Sequence, residues 1–496
     1  MKTTKRSKSL WIKKTIIVSI ALFVFTIPVL AQENTKDKAN KIDELMNLYY
    51  EYGQFNGSVL VAENGVVIYK KGLGFANMEW NILNESNTKF RIASLTKQFT
   101  SMLIMQLVEE GKIDLDNKIT EYLPEYRKDI GDKVTIHHLL THTSGIPNYT
   151  NIPGFWTDSI SNYYSLDFML KNFCSNDLRF EPGTKIEYNN SGYFLLGLII
   201  ERVTGYKLEK VLHEKILKPL GMNNTGIDRH EIILKNRAAG YREHINGYTN
   251  APYSCMQNFY ASGDMYSTVE DLYLWDQALY SDKLLSKEYR DIMFKPYLSN
   301  YAYGWGVKKI QIGATTDSIL VISHSGGLAG INTRIYRIVD NKHLIVLLNN
   351  FSGNHKINEI TIRITNILYN LPYEFPKNSI AKVLLKTIEE KDIETAIKQY
   401  HEIKSQSFES YNFDEEELNS LGYYLLEKRN KKEAIIIFKL NVLIFPNSSN
   451  VYDSLGEAYM KNVDINHAIK NYKKSLELNP ENTNAKKMLD ELEKIK

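Results

Sequence analysis

The sequence predicts an α+β protein, in which an antiparallel sheet flanked by helices and interrupted by a helical insertion is followed by an all-α domain of helical repeats. Three observations predict it. Apolar runs of strand length occur at both ends of the stretch from about residue 50 to 370, and not in its middle. The middle, from Ser94 to about Leu285, shows helical periodicity and loops. Beyond Pro372 and Pro376 the texture changes to a repeat with a 34-residue period. A chain of 496 residues is also too long for one ordinary core.

Residues 1–31 read as a signal peptide. Lys2, Lys5, Arg6, Lys8, Lys13 and Lys14 form a basic stretch, Thr15 to Leu30 is apolar and uncharged, and Val29-Leu30-Ala31 supplies small residues for cleavage before Gln32. This predicts export to a periplasmic or extracellular location. The alternative is an uncleaved membrane anchor, for which the apolar run is short. Removing the segment takes six cations and no acid, leaving 55 cations against 58 acids, a net −3. The basic balance therefore belongs to the export signal, and nothing points to nucleic acid. Cys174 and Cys255 are the only cysteines. Export permits a disulfide between them, and two buried free thiols fit equally.

The first strands are "GSVLVA" and "VVIYKKGLGFA", joined at Glu63-Asn64-Gly65, where Asn-Gly signals a tight hairpin. Next comes "RIASLTKQFTSMLIMQLVEEGKIDL", residues 91–115. Here Phe99, Met102, Leu103, Ile104, Met105, Leu107 and Val108 occupy more than one face, which predicts a buried helix ended by Gly111. Ser94 and Lys97 are three residues apart and share a face. A lysine carried into a core loses the solvation of its charge, so its pKa falls and the neutral amine becomes a base. A base beside a hydroxyl turns a weak nucleophile into a strong one. The same pattern recurs at Ser379-Ile380-Ala381-Lys382, so the spacing alone assigns no chemistry.

Strands return as "SILVISHSGG", "GINTRIYRIV" and "HLIVLLNN", the last two joined by Asp340-Asn341-Lys342, and Ile357 to Tyr369 reads as a helix covering them. One sheet built from both ends of a domain spanning 41–370 follows. Residues 371–380 read as a linker, and 381–496 as the repeat domain. There Leu421-Gly422, Ala434, Phe438 and Pro446 recur 34 positions on as Leu455-Gly456, Ala468, Tyr472 and Pro480. Small residues let paired helices approach, and the proline ends the second helix. Ala396 and Tyr400 resemble the tail of an earlier repeat, and Asn484 to Ile495 a capping helix. The period and order resemble tetratricopeptide (TPR) repeats, which implies a surface for a protein partner.

Two further segments carry chemistry. "EPGTKIEYNNSGYFLLGLIIERVTG" places Tyr188 and Asn190 on a turn before a long apolar helix. A cation near Tyr188 would ease loss of its proton, and Asn190 offers both a donor and an acceptor to a substrate amide. "VISHSGGLAG" ends a strand with His324-Ser325-Gly326-Gly327, where glycines admit a ligand close to the backbone. A backbone N–H there, paired with that of Ser94, would form an oxyanion hole.

Ser-x-x-Lys, Tyr-x-Asn and a strand-end His-Ser-Gly, in this order, resemble the motif set of penicillin-recognising enzymes. The chain is similar to the class C β-lactamase and D-alanyl-D-alanine peptidase family of serine hydrolases, which includes esterases and D-aminopeptidases. The resemblance runs from about Lys41 to Tyr369 and is carried also by "LLTHTSGIPNY", "PLGMNNT", "ASGDMYSTVEDL" and "YGWGV". It implies a β-lactamase/transpeptidase-like fold in which Ser94 is acylated, Lys97 and Tyr188 share the proton, and the N–H groups of Ser94 and Gly327 receive the oxyanion. Asn190, His324, Ser325 and Gly326 would bind substrate, a small peptide or ester such as a cell-wall fragment. No cofactor and no metal is implied. His324 stands where the β-lactamases place lysine, which weakens a true β-lactamase reading more than a hydrolase reading.

His138 and His142 are four apart, as on a zinc helix, but the glutamate that zinc proteases place after the first histidine is Leu139 here. His142 reads instead as a hydrogen-bonding residue of the turn through Gly145. Two functions from different classes remain: a serine hydrolase with a partner-binding repeat module, or a vestigial sensor that binds peptides. Retention of Ser94, Lys97, Tyr188 and Asn190 favours the first.

Overall fold

The computed structural model describes residues 35–313, 318–353, 356–428 and 430–495. The predicted signal peptide falls in 1–34 and so lies outside the described residues; among the described ones, no helix is long and apolar enough to cross a membrane. The chain divides into two units, one of residues up to 242 together with 250–374, the other of 243–249 with residues from 375 onward.

In the first unit a helix over 35–51 (α1) precedes the hairpin β1 (Gly57–Glu63) and β2 (Val66–Leu73). Asn64 and Gly65 both have positive φ, 53° and 78°, which is the backbone that a two-residue hairpin turn of the strands' own twist requires. After the helical middle come β3 (Gly306–Gln311), β4 (Ser318–Leu328), β5 (Ile331–Ile338) and β6 (His343–Asn349). The sheet order is β3-β4-β5-β6-β1-β2 with antiparallel neighbours, so the first strands of the unit pair with its last.

Alternation sorts the side chains of these strands between two cores. Val59, Val61, Ile345 and Leu347 face α1 and α6 (Ile357–Leu368). Leu60, Ala62, Leu344, Val346 and Leu348 face the helical middle, built on α2 (Thr96–Glu109), α3 (Ile136–Leu140), α4 (Asn190–Thr204) and α5 (Val269–Ala278). Arg337 of β5 is fully buried and pairs with Asp276 of α5 at 2.6 Å, fixing that helix to the sheet. Every residue of α2 from Thr96 to Leu107 is buried, including Lys97. The helix ends as its sequence predicts, with Gly111 at φ 68° and Lys112 N–H reaching back to Leu107 O. Cys174 and Cys255 are buried free thiols.

The second unit starts sooner than the predicted linker ends, because Asn378–Ser379 already pair as a short strand with Tyr411–Asn412. Helix pairs follow: α7 (Ile380–Glu390) and α8 (Ile393–Gln406), α9 (Glu415–Glu427) and α10 (Lys431–Ile444), α11 (Ser449–Lys461) and α12 (Ile465–Leu478), then α13 (Thr483–Ile495). The repeated residues are the contacts within pairs. A Cβ on Gly422 would lie 2.6 Å from the Phe438 ring, and one on Gly456 would lie 3.0 Å from the Tyr472 ring. Residues 243–249 join this unit through Ile245, which packs on its apolar cluster, and Glu243, which pairs with Lys382 at 2.7 Å.

Because Phe438 is itself fully buried, a side chain at Gly422 has no room. Gly422→Val should destabilise the repeat unit by about 1–3 kcal/mol. Denaturation followed by circular dichroism should show a lowered midpoint for part of the helical signal. A midpoint unmoved by the substitution would mean that the pair is looser than described.

Candidate active site

The polypeptide bends sharply just before α2. Ala93 has φ 46°, a left-handed conformation that costs a residue bearing a Cβ about 1–3 kcal/mol. Neighbouring bonds hold it there: Ile92 N–H donates to Met265 O, and Ile92 O accepts from Thr333 Oγ1. The bend starts a 3-10 turn, Ala93–Leu95, that carries Ser94 to the surface of a cavity while α2 runs into the core.

Lys97 Nζ meets three oxygens: Asn190 Oδ1 at 2.7 Å, the Ser262 carbonyl at 2.8 Å and Ser94 Oγ at 3.2 Å. The side chain is fully buried, and burial pushes its pKa well below the ordinary lysine value. A neutral amine has two N–H donors and one lone pair. In the neutral form that burial favours, the amide and the carbonyl accept the two protons and the lone pair is left for the Ser94 hydroxyl.

Tyr188 stands beside Ser94, and its ring centroid lies 4.8 Å from Lys97 Nζ. It shows two-fifths of its surface at the cavity mouth, yet burial of its hydroxyl end raises the phenol above its ordinary value, the Ser94 hydroxyl acting in the opposite sense. This differs from the expectation that a neighbouring cation makes the phenolate cheap. Burial disfavours charge on both groups, lowering the amine and raising the phenol.

Asn190 begins α4, and its side chain is engaged at both ends, Oδ1 by Lys97 and Nδ2 by Thr150 Oγ1 at 3.1 Å. The cavity, about 340 Å³, is lined by Ser94, Tyr188 and Asn190, by Ser325 and Gly327 of β4, and by a wall that includes Trp156 and Phe259. His324 and Gly326 do not line it. His324 Nδ1 donates to the Ser325 carbonyl at 2.7 Å, so its Nε2 accepts from Tyr301 Oη at 3.0 Å. Burial, then the nearby Lys97, push its pKa down to about 3. At Gly326 a Cβ would lie 2.3 Å from Ile92 O, so glycine here lets β4 pass behind the Ser94 turn.

The described geometry thus brings Ser94, Lys97, Tyr188, Asn190, Ser325 and Gly327 together and sets His324 and Gly326 aside as supports. The sequence reading missed several participants. The Ser262 carbonyl leaves no sequence signal, since every residue has one. Arg334 stands opposite Ser325 on β5 and donates to its hydroxyl at 3.3 Å; the strand register would have pointed to it. His138, expected against zinc, spends Nδ1 on the Thr135 N–H, and His142 spends Nδ1 on the Asn189 N–H.

The Beta-lactamase family model matches residues 39–367. Among curated relatives, Penicillin-binding protein 4* of Bacillus subtilis is 30% identical over 385 residues, 73% of this chain and 82% of that protein. Teichoic acid D-alanine hydrolase of Staphylococcus aureus is 28% identical over 346 residues, 68% of this chain and 81% of that one. The crystal structure of a penicillin binding protein from Bacillus halodurans superposes with a TM-score of 0.56 at 28% identity, covering 65% of this chain and 98% of that one. The chain belongs to the beta-lactamase family, and its relatives there are serine hydrolases of the penicillin-binding-protein-like kind.

With its pKa near 3, His324 carries no charge across the range in which enzymes of this kind are assayed, so it supplies no pH-dependent attraction for a substrate carboxylate. The ratio of kcat/KM for a carboxylated substrate over a neutral ester should stay flat between about pH 6 and 8 in the intact protein. Arg334→Gln should lower that ratio by about 10–100-fold, the worth of one charged hydrogen bond. A ratio that climbs as pH falls would mean that His324 does gain a proton.

Proposed function

We propose that the protein is an exported serine hydrolase that acts through an acyl-enzyme on an ester or amide, of carboxypeptidase or esterase type rather than a true β-lactamase. The observation that carries this is the fully buried Lys97 Nζ, its pKa held well below the ordinary lysine value, at 3.2 Å from Ser94 Oγ and with Asn190 and Ser262 as its other two partners.

In this reading Lys97 removes the Ser94 proton as the oxygen attacks the acyl carbon. The oxyanion forms between the N–H groups of Ser94 and Gly327. Tyr188, beside Ser94 and kept protonated by its raised pKa, hands a proton to the departing oxygen or nitrogen and is reprotonated from the ammonium of Lys97. Water then takes the place of the leaving group and the same steps run back. Asn190 holds Lys97 through Oδ1 at the wall of the cavity that would receive the substrate amide. The ester or amide of a D-alanyl residue, as in the named activity of the staphylococcal relative, is the first substrate class to try. A leaving group with a carboxylate or phosphate would meet Arg334 beside Ser325. Export rests on the basic and apolar composition of residues 1–31. The repeat unit, with its TPR-like period, docks a protein partner.

A phosphonate probe should add one adduct to the intact mass, absent from Ser94→Ala. Lys97→Met should lower kcat/KM for a small ester by about 10²–10⁴-fold. Lys97→Arg should not rescue it, because a guanidinium cannot give up its proton. The acid limb of the kcat/KM profile should report Lys97. Its folded pKa is depressed, so activity is full above that value and lost as pH falls through it. The protein should therefore work at neutral pH without a lysine-like threshold in the alkaline range. An adduct that survives Ser94→Ala removes the assignment.

A further inference from the structure

His142 is buried, neutral and absent from the steps above, yet it is tied to the residues that perform them. It follows α3 with φ 60°, a conformation that few residues bearing a Cβ adopt, and is 1% exposed. Its carbonyl accepts the Glu187 N–H at 3.0 Å, and its Nδ1 accepts the Asn189 N–H at 3.1 Å. Both chain neighbours of Tyr188 are thus bonded to one residue. The imidazole also lies against Tyr188, with ring centroids 4.4 Å apart, and against Tyr301 at 4.6 Å. Because Nδ1 accepts, the proton is on Nε2, which is buried with no partner among the described residues. The ring therefore gives up one hydrogen bond to make the other, which a residue serving only to fill space would not do.

We propose that His142 is the positioning residue for Tyr188, bracketing its peptide and backing its ring so that the phenol stays at Ser94. The inference rests on the hydrolase reading. A protonated imidazole would set its new N–H against the Asn189 N–H and break the bracket. Burial and the nearby Lys97 hold the group well below its ordinary pKa, so the bracket persists through the neutral range. Asn189 extends the hold, since its Oδ1 accepts the Gly192 N–H at 2.9 Å and caps α4. The turn that presents Tyr188 and Asn190 is in this way fixed at one end by the helix and at the other by His142.

The two roles open to His142 differ in what they predict for the leaving group. If Tyr188 delivers the leaving-group proton, displacing it hurts poor leaving groups most, whereas a loosened fold hurts all substrates alike. The test uses the full-length protein and esters of one acyl group with 4-nitrophenol, phenol and an aliphatic alcohol. His142→Phe keeps the ring and removes the acceptor. It should lower kcat/KM by about 10–100-fold for the aliphatic ester and by less than about 3-fold for the nitrophenyl ester. His142→Asn keeps a hydrogen-bond acceptor and tolerates positive φ, and should restore the aliphatic ester to within about 3-fold of the intact protein. Equal losses for all three esters, or two variants that both fail to fold, would overturn the proposal and leave His142 a residue of stability alone. An intact protein that takes up no phosphonate and turns over no ester would instead defeat the hydrolase reading itself.

Discussion

The burial of one amine organises this site. A lysine without solvent needs its hydrogen-bond partners from the fold, and Lys97 receives them from three places far apart in the chain: the Ser94 turn, the start of α4 and the Ser262 carbonyl. Keeping a charge in such a place is costly, so burial pulls the pKa of the amine well down and favours the form that has a lone pair. Each of the three supports follows or is held by a residue in a conformation that a Cβ disfavours. Ala93 precedes Ser94, His142 holds the turn before Asn190, and Ala261 precedes Ser262, with φ of 46°, 60° and 58°. Strain of this kind persists only where packing over-determines it. Here the packing is the large core around α2, whose stability offsets the cost.

The parts of this arrangement legible in the sequence are those written within one element. Ser94 and Lys97 declare themselves because one helical turn carries both and the residues after them are apolar all round. Tyr188 and Asn190 follow because they stand at the head of another apolar helix. The hairpin at Asn64-Gly65 and the apolar runs within β4 to β6 are likewise local signals. β3 was not, since its Lys308 and Lys309 are exposed and its pairing with β4 gives the only reason for it to be a strand. The state of His324 was out of reach for a similar reason. Its ordinary pKa lies near neutrality, and the depression comes first from burial and then from Lys97, both supplied by tertiary structure. Nothing near residue 245 hints that the segment 243–249 packs with helices that begin at Ile380.

His324 also shows how one substitution can be absorbed. The strand-end position resembling the lysine of the β-lactamases holds a ring with both nitrogens committed, one to the neighbouring carbonyl and one to Tyr301. A second cation close to Lys97 would lower its pKa further by repulsion, and a neutral imidazole spares it that. The cation beside the cavity moves to Arg334, across the strand pair and behind Ser325. Charge for a leaving group and neutrality for the base are then held by different residues on different strands.

The chain contains its own control for the four-residue motif. Ser379 and Lys382 repeat the spacing of Ser94 and Lys97 at the head of another helix. There the serine hydroxyl accepts the Lys382 N–H at 3.3 Å and serves as an N-cap. The lysine side chain is 29% exposed and reaches Glu243, a carboxylate. Lys97 is fully buried and reaches a side-chain amide, a carbonyl and a hydroxyl, none of which carries a charge. Identical spacing on two helix heads yields a cap in one case and, on the hydrolase reading proposed above, a base–nucleophile pair in the other. The difference is the dielectric and the partners around the amine, so the chemistry of this motif belongs to the core that encloses it and not to the four residues that spell it.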